Sequence, residues 1–331
     1  MLSGLSMALM GALCVAGVLV DAVLGEPSRA HPLVMFGQWA AWIERRVNPA
    51  HGAHRDVAAR VPGNMHSSVI RIAGATSWLG AVVPPVAALI ALIDHVPFAL
   101  ACALHVAALW FALGARSLVD HIAPIEHALH ANDLSHARAL TSRVVTRDLS
   151  QADASAVAGA AIESALENGN DAIFGALFWF AVAGGPGALA FRLVNTLDAM
   201  WGYRTPRFQY FGWAAARLDD LANYAPARLT ALSYALCGNL RAALACWRTQ
   251  AHAWDSPNAG PVMASGAGSL GVSCGGPALY HGALEARPTL GCGPAPRAAD
   301  VGRALALVKR AMTLWLAALS LIAVAAILFG R

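Results

Sequence analysis

Long apolar runs separated by polar stretches predict an all-α membrane protein. The runs that can cross a bilayer, which takes about 20 apolar residues, are 5–24, 72–93, 98–114 and 311–329. A turn at 94–97 joins the second run to the third, and Pro84-Pro85 predicts a kink in the second. No basic segment precedes the first run, so we interpret it as a retained membrane helix and not as a signal peptide.

Two further apolar segments are interrupted. The segment 172–191 contains Gly184-Gly185-Pro186-Gly187, which should break a helix. Polar clusters flank it on both sides, and we favour a re-entrant hairpin over a crossing because re-entry keeps them together. Asn239 and Arg241 interrupt 229–245, which we interpret as an interfacial helix. The predicted fold therefore has about four transmembrane helices, one re-entrant segment and helical cytoplasmic loops.

The distribution of arginine predicts the orientation. The loop 25–71 is rich in arginine and the turn 94–97 has neither lysine nor arginine, which places the loop in the cytoplasm. We expect one membrane domain over 1–331, in the inner membrane, with its functional residues on the cytoplasmic side. Its parts are three helices with their loop in 1–114, a motif-bearing cytoplasmic and re-entrant region in 115–310, and a last helix in 311–331.

Composition narrows the function classes. Hydrophobic residues are 57% of the chain and charged residues 13%, against about 25% charged in soluble domains. This excludes a disordered chain and argues against an ordinary soluble enzyme. A net charge of +4 without clusters of basic and aromatic residues gives no case for nucleic acid. Lys309 is the only lysine and follows no glycine-rich phosphate loop, while the six cysteines form no zinc spacing and are interpreted as small buried hydrophobes.

Acidic residues concentrate in an alanine-rich stretch, 151–171, that we expect to be helical. Glu163, Glu167 and Asp171 stand at i, i+4 and i+8 and share one helix face. Like charges at this spacing repel, and a divalent cation or arginines would relieve the repulsion. Asn168 adds a neutral ligand. A solvated acidic face is the alternative, but Asp171 adjoins an apolar segment, where unpaired charge is costly.

Two more acid–amide groups follow. N-T-L-D occupies 195–198, and R-L-D-D-L-A-N occupies 217–223 in a helix that Pro226 should end. Such groups suit Mg²⁺ with phosphate oxygens, and arginine forks match phosphate. An internal Arg217–Asp220 salt bridge is the alternative. Downstream, S-P-N-A-G at 256–260 predicts a turn that opens a glycine-dense stretch, 260–293; its N–H groups would cradle an anion, or it is a plain loop.

These motifs together resemble a known family. They are E-x-x-x-E-N-x-x-D at 163–171, N-T-L-D, A-R-L-D-D-x-x-N-Y-x-P-A-R at 216–228, S-P-N-A-G and R-P-T-L-G-C-G at 287–293. With them, and with the stretch 19–39, the sequence resembles the CbiB/CobD family of adenosylcobinamide-phosphate synthases, from about residue 13 to 310. The departures, such as Ala172 and Ser265-Gly266, leave every charged motif residue present.

The resemblance implies amide-bond synthesis in cobalamin biosynthesis. A propionate of adenosylcobyric acid would be joined to aminopropanol or its O-phosphate, with ATP as cosubstrate through an acyl phosphate and with Mg²⁺. Membrane lipid is an expected partner, as is a second copy or another corrinoid-pathway enzyme; nucleic acid is not.

Roles are assigned to the motif residues on this basis. The expected catalytic residues are Glu163, Glu167, Asp171 and Asp220, with Glu167 accepting the amine proton. The expected metal ligands are Glu163, Glu167, Asp198, Asp219 and Asp220. The expected substrate-binding residues are Asn168, Asn195, Asn223, Asn258, Arg147, Arg217, Arg228 and His31.

Three other functions stay open. A Mg²⁺-dependent membrane prenyltransferase also uses D-D-x-x-N-like groups but needs more spans than we count. The stretch 177–192 also resembles the sequence of non-catalytic sensors of the AmpE type, although such a sensor would not need the three acid–amide motifs together. A transporter would show paired broken helices, and only one is evident.

Overall fold

A computed structural model describes residues 5–26, 32–51, 67–280 and 282–329. Twelve α-helices account for most of this part of the chain. They are α1 (Met7–Leu24), α2 (Pro32–Val47), α3 (Ser67–His95), α4 (Phe98–Ala112), α5 (Ala115–His130), α6 (Leu134–Thr141), α7 (Ala154–Gly169), α8 (Gly175–Trp201), α9 (Trp213–Cys237), α10 (Leu240–Gln250), α11 (Ala259–Leu270) and α12 (Ala298–Phe329). A π-helical turn, Asn170–Phe174, joins α7 to α8.

Four strands of three residues form two antiparallel pairs. They are β1 (Ser273–Gly275), β2 (Ala278–Tyr280), β3 (Ala283–Glu285) and β4 (Thr289–Gly291), with β1 paired to β4 and β2 to β3. The predicted all-α class is confirmed, and these short pairs are its only strands in the described part of the chain.

Five helical segments are long and apolar enough to cross a membrane. They are Met7–Leu24, Ser67–His95, Phe98–His130, Ala154–Trp201 and Ala298–Phe329. Four of them overlap the four predicted runs, and Ala154–Trp201 contains the interrupted segment 172–191. Only 6% of the most apolar stretch of α12 is buried inside the protein. Its exposed apolar side chains, such as Leu321 and Phe329, suit contact with lipid.

The chain divides into two compact units, each assembled from separate stretches. The first consists mainly of Glu26–Ala112 and Ala176–Ala222. Its core includes Phe36 and Ala40 of α2, Val82 of α3, and Leu197 and Trp201 of α8. The second consists of Ser6–Gly25, Leu113–Gly175 and Asn223–Arg331. Within the second unit, α12 packs against both α1 and α7. The single membrane domain over 1–331 stays a prediction.

α7 is the buried centre of the second unit. Asp153 caps its first turn by accepting a hydrogen bond from the Ala156 amide at 2.8 Å. Alanine-rich composition favours the helix, and its residues from Val157 to Leu166 are all buried. At its end the Tyr234 hydroxyl donates to the Leu166 carbonyl at 3.0 Å, beside the π-helical turn. The helix predicted over 151–171 is thus confirmed, with a wider turn at its motif end.

The predicted break in the apolar segment 172–191 is also found. α8 loses helical geometry at Ala183 and at Gly184, where φ is 66°, a value that glycine adopts without strain. The helix resumes after these two residues and reaches Trp201. Whether the segment re-enters or crosses stays a prediction.

Pro226 does not end its helix, contrary to expectation. α9 continues through it to Cys237. A proline lacks the N–H that would bond the carbonyl four residues earlier, here Ala222. The indole Nε1 of Trp179 donates to that carbonyl at 2.9 Å, so the group left without a helical partner is satisfied from another helix.

Two other segment predictions are wrong. The interfacial helix expected over 229–245 is instead the end of α9 and the start of α10, because Asn239 caps α10 by accepting from the Ala242 amide. The glycine-dense stretch is not an open loop at its start: 259–270 forms the buried helix α11. Its glycines allow close packing, with Gly266 against the Leu166 side chain.

Candidate functional site

Glu163 is the centre of a buried ion-pair cluster in the second unit. Arg147 donates to its Oε2 at 2.9 Å, and Arg287 donates to the same oxygen. The Gly275 amide donates to Oε1 at 2.8 Å. The Glu163 side chain is only 9% exposed, so the two guanidiniums supply the charge compensation that a buried carboxylate requires.

Local structure brings these donors to Glu163. The Asp148 amide donates to the Leu279 carbonyl of β2 at 2.8 Å, which holds the residues beside Arg147 next to the short strands. Gly275 ends β1 with φ 80°, a conformation that favours glycine.

Arg287 is fixed by aromatic neighbours as well as by Glu163. Its guanidinium lies 4.8 Å from the centre of the Trp254 ring and donates to the Tyr280 hydroxyl at 3.3 Å. Burial works to lower the pKa of Arg287, but the charge and hydrogen bond of Glu163, with Tyr280, raise it overall. Arg287 therefore stays charged. Sequence reasoning missed it because it lies 124 residues from Glu163.

Glu167 lies one helical turn beyond Glu163. It interacts electrostatically with Glu163, Arg287 and Arg147. Its carboxylate makes no hydrogen bond or ion pair with the residues that the structure describes. Of the two motif glutamates, Glu163 is therefore held by three donors, and Glu167 is the one whose side chain has no such partner in the described part of the chain.

A cleft of about 530 Å³ opens beside this cluster. Arg147 and Glu163 line it together with small residues of α7, among them Ser155 and Gly159, and with residues 273–275 and 277–279. Its volume is in the range of about 300–1,000 Å³ typical of small-molecule sites. At its edge, hydrogen bonds from the Ser150 backbone and side chain hold the pKa of Asp148 below its usual value, so that carboxylate is ionised.

Asn170 organises a second polar cluster, and the sequence analysis gave it no role. It is 2% exposed, and its Nδ2 donates to Asp171 Oδ1 at 2.8 Å and to Asn223 Oδ1 at 2.9 Å. The Thr230 hydroxyl donates to its Oδ1 at 3.0 Å. The structure thus joins the predicted residues Asp171 and Asn223. The signal in the sequence was the polar residue directly before Asp171. In the structure this residue lies in a π-helical turn, and such turns often mark functional sites.

Arg228 and Asn258 form a third contact in the same unit. Arg228 donates to Asn258 Oδ1 at 2.7 Å and to the Pro257 carbonyl at 3.0 Å. Its guanidinium also lies 3.6 Å from the centre of the Tyr224 ring. Arg228 therefore holds the S-P-N-A-G turn against α9.

The remaining predicted acids lie in the first unit. Asn195 donates to Asp219 at 3.4 Å, and Arg217 lies 3.9 Å from Asp220. Asp198 and Asp220 are close enough to interact electrostatically. Burial raises the pKa of Asp220, although the charges of Arg217 and Arg204 oppose the rise.

Asn168, a predicted substrate-binding residue, makes its side-chain contacts within its own helix. The Asn168 amide donates to the Ser164 carbonyl and hydroxyl of its own helix, at 2.9 and 3.1 Å. His31 lies outside the described residues.

Mg²⁺ could be held in two ways, by a cage of protein side chains or by a few carboxylates with waters and phosphates. Within the described ranges, no three histidine, cysteine or acidic side chains gather as a metal cage. Mg²⁺ is usually held by one or two carboxylates together with waters and substrate phosphates. The neighbouring carboxylates Asp198 and Asp220 fit binding by two carboxylates with waters and phosphates. The metal role of the acids stays a prediction.

Fold and site together define a class. The molecule is an all-α polytopic membrane protein with buried ion-pair and amide clusters on and around its helices. A family model described as CobD/Cbib protein matches residues 14–308. The chain belongs to this family, and the resemblance seen in the motifs is confirmed.

Curated relatives cover nearly the whole chain. A protein of Stutzerimonas stutzeri is 52% identical over 302 residues, which is 91% of this chain and 94% of the relative. A protein of Chromobacterium violaceum is 51% identical over 95% of this chain and 96% of its own length. One of Mycobacterium tuberculosis is 40% identical over 88% and 89%. Each is named "Cobalamin biosynthesis protein CobD". No solved structure matches the chain.

Proposed function

We propose that this protein acts in cobalamin biosynthesis as an ATP-dependent amide synthase of the inner membrane. It would join a propionate carboxylate of adenosylcobyric acid to aminopropanol or its O-phosphate, with its active site on the cytoplasmic side. The observation that carries the proposal is the family match over residues 14–308, with relatives named for cobalamin biosynthesis.

The proposed reaction has two steps. The substrate carboxylate takes the γ-phosphoryl group of ATP, which gives an acyl phosphate and ADP. The amine then attacks the acyl carbon, phosphate leaves, and the amine loses a proton. Mg²⁺ bound with the nucleotide would neutralise phosphate charge, and Asp198 and Asp220 would hold it.

Glu167 is the proposed acceptor of the amine proton. Its oxygens carry no hydrogen bond within the described residues, and a general base must reach the proton that it removes. Arg147 and Arg287 pair with the neighbouring Glu163, so Glu163 is not free to act as the base. We place the amine substrate in the cleft beside Arg147, whose volume of about 530 Å³ suits an aminoalcohol phosphate better than a corrinoid.

The test is an amidation assay on the detergent-purified protein with adenosylcobyric acid, aminopropanol or its phosphate, and Mg·ATP. We expect ATP-dependent formation of the amide, and a loss of at least about 100-fold in Glu167→Gln, the size of a general-base contribution. Asp220→Asn is expected to weaken the reaction as well. The control is Glu285→Gln, an exposed carboxylate of β3.

Two results would contradict the proposal. One is a wild-type protein that forms no amide with either amine while staying folded. The other is full activity in both Glu167→Gln and Asp220→Asn, which would remove the motif acids from the reaction.

A further inference from the structure

Two cysteines of the second unit stand side by side, and neither belongs to the proposed active site. Cys246 lies on α10 and is 4% exposed, whereas Cys292 follows β4 directly and is exposed. The Cys292 side chain interacts electrostatically with Cys246. Both are reduced in the structure.

A side-chain clamp sets this contact. The side-chain Nε2 of Gln250 donates to the Gly291 carbonyl at 2.9 Å. The side-chain Oε1 of Gln250 accepts from the Gly291 backbone N–H at 2.7 Å. Cys246 lies one turn before Gln250 on the same helix face, and Cys292 is the residue after Gly291. The clamp therefore holds the two cysteines opposite each other.

The surroundings limit how far either thiol can move. A side chain at Gly268 of α11 would stand 3.0 Å from Cys246 Sγ, so α11 closes the space behind that sulfur. The Cys292 amide donates to the Val272 carbonyl at 3.1 Å, which fixes its backbone. A buried cysteine alone is normally a small hydrophobe, but this one has an exposed thiol held against it.

We propose that Cys246 and Cys292 are a site of reversible oxidation, which closes to an intramolecular disulfide by exchange with an oxidised low-molecular-weight disulfide such as oxidised glutathione. The Cys292 thiolate attacks the reagent, forms a mixed disulfide and releases one thiol. The Cys246 sulfur, after losing its proton, then attacks Cys292 Sγ and releases the second thiol. Two protein thiols and one disulfide thus become one protein disulfide and two small thiols.

Accessibility determines the order of these steps. Burial, with the hydrogen bond from Cys292, raises the pKa of Cys246 to about 11. Cys246 is therefore protonated at neutral pH, and the exposed Cys292 is the thiol that meets the reagent. The second step is fast despite the protonated thiol because the clamp already holds the two cysteines opposite each other.

The closed form would link α10 to the segment that carries Arg287, five residues before Cys292. A disulfide stabilises mainly by restricting the unfolded chain. We therefore expect the oxidised protein to melt at a higher temperature than the reduced protein.

The test uses the full chain in detergent, treated with oxidised glutathione and analysed by mass spectrometry. We expect the mass of the protein to fall by two hydrogens. A peptide that links Cys246 to Cys292 should appear, and dithiothreitol should reverse both changes. In Cys246→Ser, Cys292 should keep a glutathionyl adduct. In Cys292→Ser, reaction at Cys246 should fall at least about tenfold, since its thiol is buried.

Two variants complete the design. Cys102→Ser, on α4, is the matched control and should close like wild type. Gln250→Ala should close several-fold more slowly, because the clamp is lost. A lasting glutathionyl adduct on wild-type Cys292, or no reaction of either cysteine in the folded protein, would overturn the proposal. Neither outcome depends on amide-synthase activity, so the two proposals fail separately.

Discussion

Glu44 is a fully buried carboxylate surrounded by donors. Arg207 donates to both of its oxygens, at 2.9 and 2.5 Å, and Asn48 donates to Oε1 at 2.8 Å. His51 contacts Oε2 at 2.9 Å. Burial alone would raise the pKa of Glu44, but these partners lower it below its usual value. The network fixes α2 to the turn that carries Arg207, all within the first unit.

This network predicts a pH dependence of stability. Because the pKa of Glu44 is lowered in the folded state, its contribution is complete above the pKa of an unfolded glutamate, about 4.3. The contribution is lost as the pH falls through the folded pKa. At pH 7, Glu44→Gln should cost about 1–3 kcal/mol, and the difference in melting temperature from wild type should shrink towards pH 3.

Thermal melts of both proteins in detergent from pH 7 to pH 3 measure this effect. Glu285→Gln, whose carboxylate is exposed, should follow wild type throughout. Melting curves of wild type and Glu44→Gln that shift in parallel with pH would contradict the prediction.

At the residue scale, the sequence was a good guide to the side chains of the candidate site. It was a poor guide to the partners that these side chains contact. Helical spacing placed Glu163 and Glu167 on one face, and the structure has them there. Of the partners of Glu163, Gly275 ends β1 and Arg287 lies between β3 and β4, all beyond α11, and no local pattern reveals them. For Glu44 the partner lies 163 residues away, and only the fold brings such pairs together.

The break in α8 shows how one helix completes another. Its second half begins after Gly184, so the Gly185 amide has no helical partner at that point. His105 of α4 accepts a hydrogen bond from it at 2.8 Å through Nδ1. His105 is 2% exposed, and accepting at Nδ1 requires its proton to be on Nε2.

His105→Ala should therefore destabilise the protein. Loss of the acceptor leaves a buried amide unsatisfied, which costs about 1–3 kcal/mol. The measurement is the melting temperature in detergent. His95→Ala is the matched control, because His95 is exposed and bonds only to the Ala91 carbonyl of its own helix. Equal melting temperatures for His105→Ala and His95→Ala would show that the cap contributes nothing.

At the element scale, apolar periodicity and glycine signals located the long helices and the break at Gly184. Proline rules failed at Pro226, since Trp179 satisfies the carbonyl that the proline leaves without a partner. Glycine content was also misleading for α11, where small residues serve close packing between helices. In both cases tertiary contacts, which a local pattern does not contain, decided the outcome.

For the whole molecule, hydropathy was sufficient to predict the class. The all-α membrane fold follows from apolar runs, and five helical segments have the required length and composition. The composition of the two compact units could not be predicted, because each combines stretches that are far apart in the sequence.

Arginine distribution predicts the sidedness of the molecule. Asp94, in the last turn of α3, should face the outside, and Glu285 of β3 should face the cytoplasm. In a variant without native cysteines, a membrane-impermeant maleimide should label Asp94→Cys in intact cells. It should label Glu285→Cys only after permeabilisation. Labelling of both positions in intact cells would contradict the predicted topology.

The cluster around Glu163 has an evolutionary consequence. Arg147 and Arg287 both pair with the buried Glu163 carboxylate, so the three side chains depend on one another. Replacing one of the three alone upsets the charge balance of a poorly hydrated cluster. The three residues should therefore show strong epistasis: a lineage can abandon the cluster through combined changes, whereas each one-step intermediate is penalised.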